Sequence, residues 1–157
     1  MNEQRRQVLK TGSGLTLMSL VAAAGWLPAD VALAADWNKA AFDTKSMDET
    51  MKALGGTMPT QSKDIVFVQT PDIAENGAVV PIGITSNIPK TESIAILVEK
   101  NPNMLAAVFD IPPGTEPALS TRVKMGQSSN VIALVKADGK YYTAAKEIKV
   151  TLGGCGG

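Results

Sequence analysis

The sequence predicts a mainly β protein: an antiparallel β-sandwich of about seven strands, with a helical segment before it and a flexible C-terminal arm after it. Three observations predict this class. Short apolar and β-branched runs recur between residues 65 and 152, and strong turn formers separate them. The chain has 157 residues, which is enough for one hydrophobic core.

Residues 1–34 are predicted to be an export signal rather than part of the fold. Residues 4–10, which contain Arg5 and Arg6, resemble the twin-arginine export signal. An apolar run at 15–27 and the small-residue triplet at 32–34 complete the pattern of a cleavable signal. The resemblance implies export to the periplasm in the folded state; an ordinary secretory signal with two chance arginines is the alternative.

Residues 36–56 have a helical pattern. Ser46 and Glu49 have the spacing of a capping box, and Gly55 is a typical helix end. The apolar side of this helix consists of Met47, Met51 and Leu54. Methionines could bind a soft metal, but no histidine or cysteine lies nearby, so we expect a core-facing stripe and no metal site.

The domain over residues 35–150 then continues in strands. The strand-like runs are Ile65–Gln69, Ala78–Thr85, Ser93–Glu99, Met104–Asp110, Ala118–Met125, Ser129–Ala137 and Lys140–Leu152. Asp138-Gly139 predicts a tight hairpin between the last two runs. Pro81 predicts a strand edge or a bulge. This spacing is typical of an immunoglobulin-like sandwich, although the cysteine and tryptophan hallmarks of antibody domains are absent.

Two of the runs do not alternate between apolar and polar residues. Residues 94–98 and 131–135 are apolar at every position, whereas a strand with one face in water should alternate. Something is therefore expected to cover the outer face of their sheet. The candidates are the N-terminal helix and a partner subunit; the alternative is that small alanine side chains simply face water.

Composition excludes several classes of function. There is no histidine, which removes the commonest general base and the commonest zinc ligand. The chain has 15 basic and 15 acidic residues, and no basic cluster that would attract nucleic acid or anionic lipid. After the signal no apolar run approaches the roughly 18 residues of a membrane span. We therefore expect no nucleic-acid partner, no membrane contact of the mature chain and no cofactor.

The chemistry is predicted to lie in the C-terminal arm, residues 151–157. Its only thiol, Cys155, is flanked by Gly153, Gly154, Gly156 and Gly157. Glycine leaves the backbone unrestrained and gives the thiol a thin profile that can enter a narrow channel. Nothing in the arm activates the thiol, so a partner enzyme has to do so, as expected of a carrier rather than of a catalyst.

This ending, on a short exported β-sandwich with a twin-arginine signal, resembles the SoxY family of the periplasmic thiosulfate-oxidising (Sox) system. The resemblance implies that Cys155 bonds to the sulfane sulfur of thiosulfate and holds it while partner enzymes oxidise and hydrolyse the adduct. It also implies a heterodimer with a SoxZ-like subunit. The implied visiting enzymes are the haem protein SoxAX, the manganese hydrolase SoxB and, in some organisms, the sulfane dehydrogenase SoxCD.

Other functions remain open from the sequence. A carrier of thiocarboxylate type would use the terminal carboxylate of Gly156-Gly157 instead of the thiol. A periplasmic interaction module would have no covalent chemistry, and the cysteine would then be incidental. A thiol-disulfide oxidoreductase is disfavoured because there is no second cysteine to resolve a mixed disulfide.

Overall fold

Two β-sheets and two short helices make up residues 38–151, the part of the chain that this computed structural model describes. The helices are α1 (Lys39–Phe42) and α2 (Met47–Ala53). The strands are β1 (Thr60–Gln61), β2 (Ile65–Val68), β3 (Ile73–Ala74), β4 (Val80–Ser86), β5 (Thr91–Val98), β6 (Leu105–Asp110), β7 (Ala118–Val123), β8 (Ser129–Ala137) and β9 (Lys140–Val150). The predicted mainly β class is confirmed. The signal at 1–34 lies outside the described residues.

The strands form a six-stranded and a three-stranded sheet. The large sheet has the order β1-β9-β8-β5-β6, with β3 also paired to β9, and the small sheet has the order β2-β4-β7. The seven longer strands pair antiparallel and correspond to the seven predicted runs. The two-residue strands β1 and β3 were not predicted, and they pair parallel with β9.

The main core lies between the two sheets. The alternating residues of β4 and β5 that point inward are almost completely buried, for example Ile82 and Ile84 facing Ile94 and Ile96. Complete burial of such a side chain stabilises the fold by about 1.5–3 kcal/mol. The two inner faces therefore supply most of the packing that joins the sheets.

A second core explains why β5 and β8 do not alternate. The outward-pointing residues of these strands, Ala95, Leu97 and Leu134, pack beneath the two helices. Met51 of α2 is 2% exposed against them, and the Tyr141 hydroxyl donates a hydrogen bond to the Leu54 carbonyl (3.1 Å). The N-terminal helical segment thus covers this face, so the apolar pattern here gives no support for a partner subunit.

The helical segment is interrupted rather than continuous. Ser46 has extended backbone angles and caps α2 by accepting a hydrogen bond from the Glu49 N–H (3.3 Å), as predicted. The Glu49 carboxylate bonds the N–H of Lys45 (2.9 Å) instead of completing the box at Ser46. The helix ends at Ala53, with Leu54 as its C-cap residue, and Gly55 follows with φ of +70°. The result is two short helices separated by residues 43–46.

The hairpin between β8 and β9 is held by its turn and by one carboxylate. Asp138 and Gly139 both have positive φ, as a type I′ turn requires. The Glu92 carboxylate accepts a hydrogen bond from the Gly139 N–H (3.0 Å) and lies 3.2 Å from the Lys136 ammonium. The Gly139 N–H, and then Lys136, hold the pKa of Glu92 below its ordinary value. The predicted tight hairpin is confirmed.

Pro81 lies on a local strand edge, as predicted. The pairing of β2 with β4 ends where Val68 meets Gly83, so β2 does not extend alongside Pro81. At Gly83 the edge of β4 is bonded by a side chain: the Thr70 hydroxyl bonds both the Gly83 N–H (3.0 Å) and its carbonyl (3.2 Å). A Cβ on Gly83 would lie 2.2 Å from the Val68 carbonyl oxygen, so this close approach requires glycine.

Candidate functional site

The predicted attachment residue and its glycines lie outside the described part of the chain. This holds for Cys155 and the four glycines around it, and also for the predicted export residues Arg5 and Arg6. Their roles remain predictions. What the structure does describe is the segment from which the arm leaves the domain, up to Thr151.

Backbone hydrogen bonds fix the root of the arm, by which we mean Lys149, Val150 and Thr151. The Lys149 N–H donates to the Asp72 carbonyl (2.9 Å), and the Thr151 N–H donates to the Ala74 carbonyl (3.0 Å). On the other side β9 is paired to β8 up to Ile148. The chain is therefore held on both edges almost to the last described residue.

Two further contacts hold Val150. Its N–H donates to the Ser128 hydroxyl oxygen (2.9 Å), which lies in the loop between β7 and β8. Gly77 packs so closely that a Cβ on it would lie 2.9 Å from Val150 Cγ1 and 2.5 Å from the Met125 carbonyl oxygen. The sequence indicates only a turn at Asn76-Gly77; this close approach to the root could not be predicted, because it depends on how distant loops meet.

Lys146 supports the root from below. Its ammonium donates to the Thr70 carbonyl and lies 3.0 Å from the Asp72 carboxylate, and its side chain is only 27% exposed. Because the Asp72 carboxylate is largely exposed, the ion pair itself contributes no more than about 1 kcal/mol. Lys146 holds the connection between β2 and β3 against β9. Its ammonium is therefore occupied by contacts within the domain.

Three loops lie at the same end of the sandwich as the root: residues 75–79, 99–104 and 124–128. Asn101 joins two of them, since its amide donates to the Lys124 carbonyl (2.7 Å) and its oxygen accepts from the Gly126 N–H (3.2 Å). Two large apolar side chains beside the root are more than half exposed, Ile73 and Val79.

The described residues contain no further chemical centre. Within 38–151 no three histidine, cysteine, aspartate or glutamate side chains are grouped so that they could hold a metal ion. Over the same range no helix has the length and apolar character needed to cross a membrane. The arm is therefore the feature on which a functional hypothesis has to rest.

Two comparisons with known proteins carry no inference. No match to this chain was found among the curated proteins. A solved structure of the bacterial superantigen toxic shock syndrome toxin-1 is 18% identical, covers 55% of this chain and 99% of its own, and has a TM-score of 0.39. That likeness is too low to support an argument.

Two other comparisons agree with each other. The sequence model of the family described as sulfur oxidation protein SoxY matches residues 50–155, a range that includes the cysteine. The solved structure of the sulfur carrier protein SoxY from Chlorobium limicola f thiosulfatophilum is 37% identical, covers 67% of this chain and 96% of its own, and has a TM-score of 0.60. By this family match and this related structure, the chain belongs to the SoxY family of sulfur oxidation proteins.

Proposed function

We propose that this protein is a covalent carrier of sulfur intermediates in thiosulfate oxidation, and that Cys155 is the attachment point. The observation that carries the proposal is the match of the SoxY family over residues 50–155, which ends at this cysteine. The related solved structure is described as a sulfur carrier protein. Within 38–151 the domain is anchored up to Thr151, so the thiol sits on a short tether that begins at a fixed point.

Loading is an oxidation that joins two sulfur atoms. The Cys155 thiol loses its proton, and its sulfur bonds to the sulfane sulfur of thiosulfate to give a cysteine S-thiosulfonate. One proton and two electrons are released, and a haem-containing SoxAX-like enzyme would act as the acceptor of the two electrons, one at a time. This chain contributes the thiol and its position, while the partner contributes the activation and the oxidant.

Unloading begins with hydrolysis at the outer sulfur. Water adds to the sulfonate group in a SoxB-like enzyme, the bond between the sulfane and sulfonate sulfurs breaks, and sulfate leaves. Two protons are released, and Cys155 keeps the sulfane sulfur as a persulfide. A SoxCD-like dehydrogenase could then oxidise that sulfur on the same anchor. In this scheme the chain is a carrier without catalysis of its own.

A SoxZ-like subunit is the proposed permanent partner, and the outer face of the small sheet is the surface we assign to it. Two cross-strand rows on this face contain no charged side chain: Val66, Thr85 and Ala118 in one, and Val68, Gly83 and Ser120 in the other. Val66 and Val68 are 41% and 39% exposed. Interface centres are depleted in charge, as these two rows are; the next row of the same face pairs Pro81 with the exposed Arg122.

The heterodimer is tested by co-purification. Val66→Asp combined with Val68→Asp should abolish the capture of the chain by a tagged SoxZ-like subunit. Each single replacement should weaken the capture, and Val108→Asp is the control for one such charge, since it places a carboxylate at a 36% exposed valine on the edge strand β6. Capture of the double variant at the wild-type level would remove this face from consideration.

Export by the twin-arginine pathway to the periplasm is proposed on the strength of Arg5 and Arg6. Replacing both arginines by lysine should leave the precursor in the cytoplasm, detected by cell fractionation and immunoblotting. Export of the variant at the normal rate would favour an ordinary secretory signal.

Intact-mass spectrometry tests the carrier function itself. Protein from cells growing on thiosulfate should carry additional masses of about 32, 80 or 112 Da, for a sulfur atom, a sulfonate or a thiosulfonate on the thiol. Cys155→Ser should remove all of them. Deleting Gly157 separates the two kinds of carrier, because a thiocarboxylate carrier would be inactive whereas a cysteine carrier still forms adducts. Unchanged adducts on the serine variant would refute attachment at Cys155.

A further inference from the structure

We infer that Ile73 and Val79 form the contact on which each visiting enzyme rests while the arm is inside its active site. This inference rests on the proposed carrier function, and it assigns a docking surface to that function. The surface, called the exit rim below, consists of these two side chains on either side of the root of the arm.

The length of the arm sets how far Cys155 can reach from the domain. Thr151 is the last residue that the structure describes, and its N–H is bonded to the Ala74 carbonyl (3.0 Å). Four residues separate it from the cysteine, counting Cys155 itself. At 3.3–3.6 Å per residue, even a fully extended arm places this residue only about 13–14 Å from Thr151. An enzyme with a recessed active site therefore has to bring the mouth of its channel almost onto Thr151.

The exit rim lies beside the root of the arm. Ile73 precedes Ala74, the residue that binds Thr151, and it is in register with Lys149 of β9. Val79 is two residues from Gly77, whose backbone is packed against Val150. The chain geometry keeps each Cα within about 7 Å of a residue that contacts the root. A channel mouth that takes the arm therefore meets both side chains.

The two side chains of the exit rim are exposed and have charged neighbours. Ile73 is 57% exposed and Val79 is 51% exposed, although each lies next to a buried residue, Ala74 and Val80. The side chains of Asp72, Glu75 and Lys149 nearby are polar and charged. An apolar centre surrounded by polar and charged residues is the arrangement found in protein interfaces. Its small size fits partners that have to leave again after each reaction.

The occupant is a catalytic subunit whose channel mouth carries an apolar patch. The SoxZ-like subunit is assigned to the outer face of the small sheet, and α1 and α2 cover the outer face of the large sheet. The reach of the arm applies to every enzyme that acts on Cys155. The oxidising and the hydrolysing enzyme should therefore both use the exit rim.

Enzyme kinetics with the carrier as the varied substrate test this inference. We would compare wild-type protein with Ile73→Ser, Val79→Ser and the double variant, using a purified SoxAX-like oxidase with thiosulfate and a SoxB-like hydrolase with loaded carrier. Each single change should raise the KM for the carrier about tenfold with kcat unchanged, because it removes binding that is equal in the ground and transition states. The rise should occur with both enzymes.

Val108→Ser is the matched control. Val108 is 36% exposed, but it lies on β6, three strands away from β9 in the large sheet, or about 14 Å. Its KM should equal that of the wild type. Labelling of Cys155 by a small thiol reagent should be equally fast in all variants, which shows that the thiol is reachable. Equal midpoints in urea titrations should show that the domain is folded.

The possible outcomes separate this inference from the function on which it rests. If wild-type carrier forms no adduct with the oxidase, the proposed function itself fails. If the wild type is loaded and the rim variants retain its KM with both enzymes, the exit rim is not the docking surface. A rise in KM with one enzyme alone also overturns the inference, because a common rim follows from the shared arm.

Discussion

Shortening the arm should separate chemical reactivity from enzymatic turnover. Deleting Gly153 and Gly154 leaves Leu152 as the only residue between Thr151 and the cysteine. The reach then falls from about 13–14 Å to about 7 Å. A misplacement of about 1 Å at a reacting centre can already cost about a hundredfold in rate, so a loss of about 7 Å should reduce turnover by at least that factor.

The assay compares two rates on the same protein. Loading by the oxidase is followed by the intact mass, and the reactivity of the thiol is followed with a small maleimide. The shortened chain should react with maleimide at close to the wild-type rate, since the thiol remains on a terminal peptide. Replacing both glycines by alanine keeps the length of the arm and should cost much less than the deletion. Wild-type loading of the shortened chain would refute the reasoning, because the thiol would then not need to enter a partner.

Three predictions concern the domain. Met51→Ala should lower the free energy of unfolding by about 2–5 kcal/mol in urea titrations, and Met58→Ala, at a 64% exposed site, by almost nothing; equal losses would contradict the second core. Gly83→Ala should destabilise the fold because its Cβ would lie 2.2 Å from a backbone oxygen, whereas Gly126→Ala should be tolerated. The pKa of Glu92 is lowered on folding, so its stabilising effect is present above the ordinary value of 4.5 and is lost as the pH falls through the lowered pKa. Glu92→Gln should therefore flatten the stability profile in acid, and an unchanged profile would show that the carboxylate does not contribute.

Most of the fold could be predicted because its long strands carry their own signal. Runs such as 129–137 and 140–150 are apolar enough, and the turn at Asp138-Gly139 is strong enough, to fix one hairpin from the sequence. Strands β1 and β3 could not be predicted. Each has two residues and exists because β9 offers a free edge to pair with, so no pattern within the strand indicates it.

The apolar strands show a different limit of sequence reasoning. A strand such as Ile94–Val98 indicates that both of its faces are buried, but not what buries the second one. The structure provides the answer in Ala41, Met51 and their neighbours, which come from residues distant in sequence.

Only part of the candidate site could be recognised from the sequence. The cysteine and its glycines stand out in the sequence because their composition is unusual, and their role remains a prediction. The anchoring of the root could not be predicted, since Ser128, Gly77 and Asp72 reach it from three separate segments.

The long strand β9 gives the carrier mechanical strength where it is needed. Each delivery ends with the arm being withdrawn from another protein, and any resistance pulls along the axis of this strand. Because β9 is bonded to β8 on one edge and to β1 and β3 on the other, such a load is spread over many hydrogen bonds at once. A hairpin at the border of a sheet would open one hydrogen bond at a time under the same force. In β9 the hydrogen bonds on both edges are loaded in shear and have to break together.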